Sequence, residues 1–123
     1  MSDAEKTKAF TKAQTTPIGM NPAEGGIVIQ WQDGTDLVYD FRGLRLACPC
    51  AMCIDENTGE KILQPTMVPM DIEARSIESV GAYAMRFYWS DGHSTGIYPF
   101  PLLRYIGEAR REALQARAKA QGL

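Results

Sequence analysis

The chain has 123 residues, of which 45% are hydrophobic and 23% are charged, and its formal net charge is −2. This length suits one domain with one hydrophobic core, and the composition is that of an ordinary globular protein. The weak negative charge offers no electrostatic basis for binding nucleic acid, and no apolar run approaches the roughly 20 residues that span a bilayer, so we expect no membrane protein.

The N-terminal residues 1–25 are polar, contain several turn formers and lack sustained periodicity. We therefore predict a mobile leader here, followed by one folded domain over residues 26–115 and a frayed tail over residues 116–123. The leader has no apolar stretch between a basic start and a small-residue cleavage site. The sequence thus predicts no secretory signal and a cytoplasmic location.

Two β-hairpins and a C-terminal helix are predicted along the chain. "GIVIQW" is rich in β-branched residues, and the Asp-Gly pair that follows, at residues 33–34, is a strong hairpin signal before "TDLVYDF". The same signal recurs at residues 91–92, after "AYAMRFYW". Glycine and prolines between the hairpins predict an irregular connection, and apolar residues recur at helical spacing from Pro101.

The two hairpins share a short internal repeat. "WQDGTDLVYDFRGLR" and "WSDGHSTGIYPFPLLR" carry the same residue types in the same order, with one extra residue in the second copy. The matched pairs are Trp31 and Trp89, Asp33 and Asp91, Gly34 and Gly92, Tyr39 and Tyr98, Phe41 and Phe100, Leu44 and Leu103, and Arg45 and Arg104. Chance agreement is the alternative, but this many matches favour duplication. The predicted fold is α+β: two hairpin-helix units of antiparallel strands and short helices, joined by an irregular connection, with a C-terminal helix and a metal site.

All three cysteines lie close together just after the first unit. In a reducing compartment, an odd number of closely spaced cysteines argues against disulfides and for metal binding or catalysis. The Cys50-x-x-Cys53 turn lets two thiolates bind one ion, and Cys3His is an established zinc set, for which the chain's single histidine, His93, supplies the fourth ligand. Pro49 favours an extended conformation for Cys48. An extended Cys-x-Cys segment points its two side chains to opposite faces, so Cys48 is the ligand that the spacing supports least. If the units pack side by side, the helix exit of the first meets the hairpin tip of the second.

Other uses of these residues stay open at this point. Three thiolates and a histidine could hold iron or an iron–sulfur cluster, although clusters more often have four cysteines. A redox dithiol lacks its usual βαβ context. The cysteines could also be inert core residues, and His93 an unpartnered polar residue of the hairpin. The sequence contains no Gly-rich phosphate loop or nucleophile elbow, and one histidine cannot build a facial triad, so we expect no enzymatic activity.

The motifs "LRLACPCAMCIDENTG" and "WSDGHSTGIYPFPLLR" resemble the gamma-butyrobetaine-hydroxylase-like N-terminal domain family, long described as a domain of unknown function. In the carnitine-pathway hydroxylases such a domain precedes a separate catalytic domain and binds zinc through three cysteines and a histidine. Carried over by motif, those ligands fall on Cys48, Cys50, Cys53 and His93. Related domains also occur fused to P-loop ATPases that carry iron–sulfur clusters. The resemblance implies a stand-alone, non-catalytic zinc-binding module that contacts an unidentified protein partner or forms a homo-oligomer.

Overall fold

The computed structural model describes residues 9–50, 52–55, 57–120 and 122. In chain order the elements are β1 (Pro17–Ala23), β2 (Gly26–Trp31), β3 (Asp36–Asp40), α1 (Phe41–Leu46), β4 (Ala74–Val80), β5 (Ala84–Trp89), β6 (Ile97–Pro99) and α2 (Phe100–Ala120), with short 3-10 turns at Ala13–Thr15 and Pro65–Met67. The strands form two antiparallel sheets, ordered β1-β2-β3 and β4-β5-β6. This confirms the predicted α+β fold of two hairpin-helix units and a C-terminal helix.

The two hairpin turns have nearly the same geometry. Gly34 and Gly92 have φ angles of 90° and 87°, a left-handed conformation that glycine adopts at no steric cost. Each glycine amide donates to the carbonyl of the tryptophan three residues earlier, Trp31 or Trp89, at 3.0 Å. The Asp-Gly pairs therefore act as turn formers in both units, and the shared geometry supports the internal repeat.

Alternate side chains of the two central strands build one hydrophobic core. Successive residues of a strand point to opposite faces, so every second residue of β2 and β5 faces inward. The buried residues with this alternation are Ile27, Ile29, Trp31, Met85, Phe87 and Trp89, and Ala84 at the start of β5 is also buried. Because both sheets contribute to a single cluster of buried residues, the two units share one hydrophobic core.

Buried tyrosine hydroxyls connect the units reciprocally. Tyr39 of the first unit donates to the carbonyl of Leu103 at 2.7 Å, and Tyr98 of the second donates to the carbonyl of Leu44 at 2.6 Å. These four residues are two matched pairs of the repeat. At a two-fold interface, a contact between one position of the first unit and another position of the second recurs with the two units exchanged. The units are therefore related by an approximate two-fold axis within one chain.

Aromatic side chains repeat the same reciprocity. Trp31 meets Phe100 edge-to-face, with ring centroids 6.4 Å apart, and Phe41 meets Trp89 edge-to-face at 6.0 Å. Edge-to-face pairs add roughly 0.5–1.5 kcal/mol beyond the area that they bury. The tryptophan of each hairpin thus packs against the first residue of the other unit's helix.

The ordered elements extend beyond the predicted boundaries at both ends. Pro17–Ala23, inside the predicted leader, is a strand paired with β2, and α2 continues to Ala120, inside the predicted tail. The prolines of β1 are tolerated because it is an edge strand, and it pairs with β2, which follows it after only two intervening residues. Residues 1–8 of that leader lie outside the described residues. Among the described helices, none combines the length and apolar character needed to cross a membrane.

Candidate metal centre

Helix α1 sets the position of the first cysteine. The Asp40 carboxylate caps the helix by accepting from the amide of Gly43 at 2.8 Å, which satisfies one of the amides that a helix N-terminus leaves unpaired. The helix ends at Leu46, and the amide of Cys48 still donates to the carbonyl of Arg45 at 3.2 Å. Cys48 therefore lies one short turn beyond the helix, fully buried.

A tight turn brings the other two cysteines beside Cys48. The amides of Cys53 and Ile54 both donate to the carbonyl of Cys50 at 3.0 Å. This turn places the sulfurs of Cys50 and Cys53 3.7 Å apart, and all three cysteines are free thiols. Cys53 is buried, whereas Cys50 is only partly buried.

His93 lies at the tip of the second hairpin, between β5 and β6. Its amide donates to Asp91 Oδ1 at 3.0 Å, and its carbonyl accepts from the amide of Trp89 at 3.0 Å. The first hairpin holds Thr35 in the same way, since its carbonyl accepts from the amide of Trp31 at 2.9 Å. His93 and Thr35 thus occupy equivalent places in the two units.

The structure brings together all four residues that the sequence predicts. His93 Nε2 lies 3.2 Å from the sulfur of Cys48, 3.4 Å from that of Cys50 and 3.7 Å from that of Cys53. The four ligand atoms all lie within 4.8 Å of one another. The helix exit of the first unit therefore meets the hairpin tip of the second, as expected from the repeat.

These separations fit one tetrahedral ion. With metal–sulfur bonds of about 2.3 Å and metal–nitrogen bonds of about 2.0–2.1 Å, the edges of a regular tetrahedron are about 3.8 Å between sulfurs and about 3.6 Å between sulfur and nitrogen. The observed Cys50–Cys53 separation of 3.7 Å lies close to the first value, and the sulfur–nitrogen separations of 3.2, 3.4 and 3.7 Å lie on either side of the second. The donor set is soft and nitrogen-containing, as zinc and other late transition metals prefer.

The surroundings shift the proton affinity of three ligands. Burial, followed by the positive charge of Arg45, lowers the pKa of His93, although Asp91 opposes this shift. A neutral imidazole keeps a nitrogen lone pair free for a metal. Burial raises the pKa of the Cys48 thiol to about 12. Burial alone would raise the pKa of the Cys50 thiol. Hydrogen bonds to its sulfur, of which the one from Thr95 has the largest effect, outweigh burial and lower this pKa.

Sequence reasoning missed three residues that support the cluster. Thr95 Oγ1 donates to the sulfur of Cys50 at 3.2 Å. A Cβ atom at Gly96 would lie only 2.6 Å from the sulfur of Cys48, so this glycine leaves room for that ligand. Arg45 donates to the sulfur of Cys53 at 3.5 Å. The repeat singled out Arg45 as a matched position, but no local pattern indicated that it contacts a cysteine.

The fold and the cluster define a class of protein: a small α+β domain of two related units, with a Cys3His cluster that could hold a metal ion between them. The chain belongs to the family described as "Gamma-butyrobetaine hydroxylase-like, N-terminal", whose profile matches residues 18–104. The resemblance seen in the cysteine and hairpin motifs is thereby confirmed.

Two curated relatives are much longer enzymes. Gamma-butyrobetaine dioxygenase of Pseudomonas sp. (strain AK-1) is 28% identical over 94 residues, which cover 76% of this chain and 24% of that protein. Dioxygenase str8 of Strobilurus tenacellus is 32% identical over 68 residues, which cover 54% of this chain and 16% of that protein. The chain therefore spans about a quarter or less of the length of these relatives.

Solved structures share the fold. The crystal structure of a DUF971 family protein of unknown function from Acidithiobacillus ferrooxidans ATCC 23270 has a TM-score of 0.63 and 26% identity, covering 79% of this chain and 98% of that one. An NMR solution structure has a TM-score of 0.61 and 22% identity, covering 94% of this chain and 89% of that one. Almost the whole of each neighbour is thus the same small domain.

Proposed function

We propose that this chain is a non-catalytic zinc-binding domain that acts as a protein-interaction or assembly module. The observation that carries the proposal is the convergence of three cysteine sulfurs and one histidine nitrogen, drawn from both units, within 4.8 Å. Cys3His is a common set in closed structural zinc sites. Bound zinc would tie the cysteine turn to the second hairpin, so its binding free energy would stabilise the folded chain.

The ligand count supports a structural role. Four protein ligands complete the tetrahedral coordination of zinc, whereas a catalytic zinc keeps one position open for water or substrate. The dioxygenase relatives share at most about a quarter of their length with this chain. We therefore assign their activity to the remainder of those proteins and not to this domain.

Two exposed methionines support a role in protein contacts. Met52, inside the cysteine turn, is 67% exposed, and Met70, on the connection to the second unit, is 82% exposed. Methionine side chains are flexible and polarizable, and they are common at surfaces that bind proteins. We expect the partner to be a different protein. If light scattering shows that the purified chain self-associates, the partner is instead a second copy of this chain.

The proposed site needs reduced cysteines to bind zinc. Because the cytoplasm keeps thiols reduced, we place the domain there.

Elemental analysis of the purified chain tests the metal assignment. We expect about one zinc ion per chain, and His93→Ala should lower zinc affinity by more than about tenfold because it removes one of four ligands. Thr35→Ala is the matched control, since Thr35 holds the equivalent place in the first hairpin, and it should retain zinc. A zinc-free parent chain from zinc-replete cells, or equal zinc affinity in the parent and His93→Ala, would contradict the proposal.

A second candidate is an accessory factor that holds and passes on iron or an iron–sulfur cluster. It is favoured by the accessibility of one side of the cluster, because Cys50 and His93 are only partly buried and Met52 lies exposed at the rim. Anaerobic purification separates the two candidates. A brown chain that contains iron and sulfide and transfers them to an apo-ferredoxin would support this candidate, whereas a colourless zinc-bound chain supports the first.

A further inference from the structure

Arg45 is a buried cation that connects two of the four clustered ligands. Its side chain is 7% exposed. Its Nε donates to Asp91 Oδ2 at 3.0 Å, and its Nη1 donates to the sulfur of Cys53 at 3.5 Å. The other carboxylate oxygen of Asp91 accepts from the amide of His93 at 3.0 Å. One guanidinium therefore contacts Cys53 directly and His93 through Asp91.

The repeat supplies an internal comparison for this arrangement. Arg104, the counterpart of Arg45, is also buried, with its side chain 3% exposed. Its Nη1 donates to Asp33 Oδ1 at 3.0 Å, and the same oxygen accepts from the amide of Thr35 at 3.1 Å. The scaffold of arginine, aspartate and hairpin amide is thus present in both units.

The two arginines differ in their remaining ion-pair partner. Arg104 Nε donates to the Glu108 carboxylate at 2.8 Å, whereas Arg45 has the sulfur of Cys53 as its second partner. An arginine guanidinium keeps its charge in proteins, and a buried charge is stable only when it is paired. Where the second unit's arginine has two carboxylates, the first unit's has one carboxylate and one sulfur. The sulfur of Cys53 is thus the second partner of Arg45, as the Glu108 carboxylate is the second partner of Arg104.

We propose that Arg45 is a positioning residue of the metal centre, which orients the sulfur of Cys53 and fixes the His93 turn through Asp91. The inference rests on the proposed metal-binding function. Three thiolates and a neutral imidazole around a divalent ion leave a net charge of −1, which a guanidinium beside a buried sulfur offsets. A hydrogen bond from a charged guanidinium is stronger and more directional than one between neutral groups. Residues that orient metal ligands in this way typically change metal affinity by about 10–100-fold when they are replaced.

The test compares Arg45→Met with Arg104→Met in the full chain. Both variants remove a buried guanidinium and leave an aspartate unpaired, but only Arg45 contacts a sulfur. We expect Arg45→Met to weaken zinc binding by about 10–100-fold in competition with a chromophoric chelator. Arg104→Met should bind zinc within about threefold of the parent, although its melting temperature should fall because a buried ion pair is broken.

The absorption spectrum of the cobalt(II)-loaded chain separates an effect on the metal ligands from a general loss of stability. Arg45→Met should shift the sulfur-to-cobalt charge-transfer band of the cobalt-loaded chain, because a hydrogen bond to one thiolate is lost. Arg104→Met should leave that band in place. If Arg45→Met does not fold, Arg45→Lys replaces it: one ammonium group cannot match the fork of a guanidinium, so a loss of about tenfold or more is expected there too.

The outcomes separate this inference from the proposed function. A parent chain that binds neither zinc nor cobalt overturns both. A parent chain that binds them, together with parental affinity and spectrum in the Arg45 variant, overturns the assignment of Arg45 and leaves the metal site standing. Equal losses of affinity in the Arg45 and Arg104 variants also overturn it, since the effect would then be one of general stability.

Discussion

Gly96 leaves space for a buried ligand. A Cβ atom at this position would lie 2.6 Å from the Cys48 sulfur and 3.3 Å from the Tyr98 ring. Gly96→Ala should therefore displace Cys48. Overpacking of this kind typically costs about 1–3 kcal/mol, so we expect zinc affinity to fall by roughly tenfold while the far-ultraviolet circular dichroism of the metal-free chain stays unchanged.

Ser94→Ala is the control for this substitution, because it removes an atom two residues away and adds none. It should bind zinc as the parent does. Parental zinc affinity in Gly96→Ala would show that Cys48 can move without cost to binding. Cys48 would then not be a ligand. Cys48 is also the cysteine for which the spacing in "CPCAMC" gives the weakest support as a ligand.

The three thiols should differ in reactivity when no metal is bound. The thiolate is the nucleophile, so reactivity follows thiolate fraction and exposure. Cys50 is partly exposed, and its pKa is lowered because hydrogen bonds to its sulfur, above all from Thr95, outweigh the effect of burial. For Cys48, burial raises the pKa of the thiol to about 12. Iodoacetamide near neutral pH should modify Cys50 faster than Cys48 by at least about tenfold, as measured by peptide mass spectrometry over time.

Two further measurements bear on the same thiols. Zinc should protect all three cysteines, since a coordinated thiolate is not free to react. Thr95→Val should slow modification of Cys50 by removing its donor at 3.2 Å, and it should leave Cys48 unaffected. Equal rates for Cys48 and Cys50 in the metal-free chain would mean that the turn between them opens before it reacts.

At the scale of elements, short-range signals predicted most of the fold. The two Asp-Gly turns require residues that accept left-handed φ, and Gly34 and Gly92 have it. The spacing of apolar residues after Pro101 predicted α2, which begins at Phe100. Residues close together in the chain determine these turns and this helix, so a short stretch of sequence is enough to predict them.

The first strand could not be predicted from such local patterns. β1 contains Pro17, Gly19 and Pro22, residue types of low strand propensity. It is ordered by the register of its pairing with β2, from Pro17 against Trp31 to Ala23 against Gly26. Pairing with the next strand therefore overrides a sequence that resembles a loop.

The same contrast holds for the candidate site. The sequence singled out the four clustered residues because cysteine and histidine have few common roles at such spacing. Arg45, Thr95 and Gly96 have many possible roles, and their part in the cluster depends on contacts between the two units. Sequence can therefore indicate the ligands, while the residues that position them require the structure.

For the whole molecule, the internal two-fold separates the core from the candidate metal centre. The reciprocal bonds of Tyr39 and Tyr98 and the two edge-to-face aromatic pairs lie across the axis and involve no cluster residue. The first unit's hairpin carries Thr35 where the second carries His93. The first hairpin thus contacts α2 through the ion pair of Asp33 with Arg104, whereas the second hairpin contacts the first unit through the Asp91–Arg45 pair together with the Cys3His cluster.

This asymmetry predicts how the chain responds to removal of its metal. Chelation should lower the melting temperature, because metal binding contributes to the free energy of folding, but the core shared by the units should stay folded. Hydrogen exchange measured by mass spectrometry should then show faster exchange in the cysteine turn, where the amides of Cys53 and Ile54 donate to Cys50. Amides in the centre of β2 should keep their protection, since local opening spares the most buried elements.

Adding zinc back should restore slow exchange in the cysteine turn, and His93→Ala should prevent that recovery. If chelation instead abolished protection equally in β2 and in the cysteine turn, the metal would be required for the whole fold. The reciprocal contacts across the axis would then be too weak to hold the two units together, and this chain would behave like a zinc finger, whose folding depends on its metal.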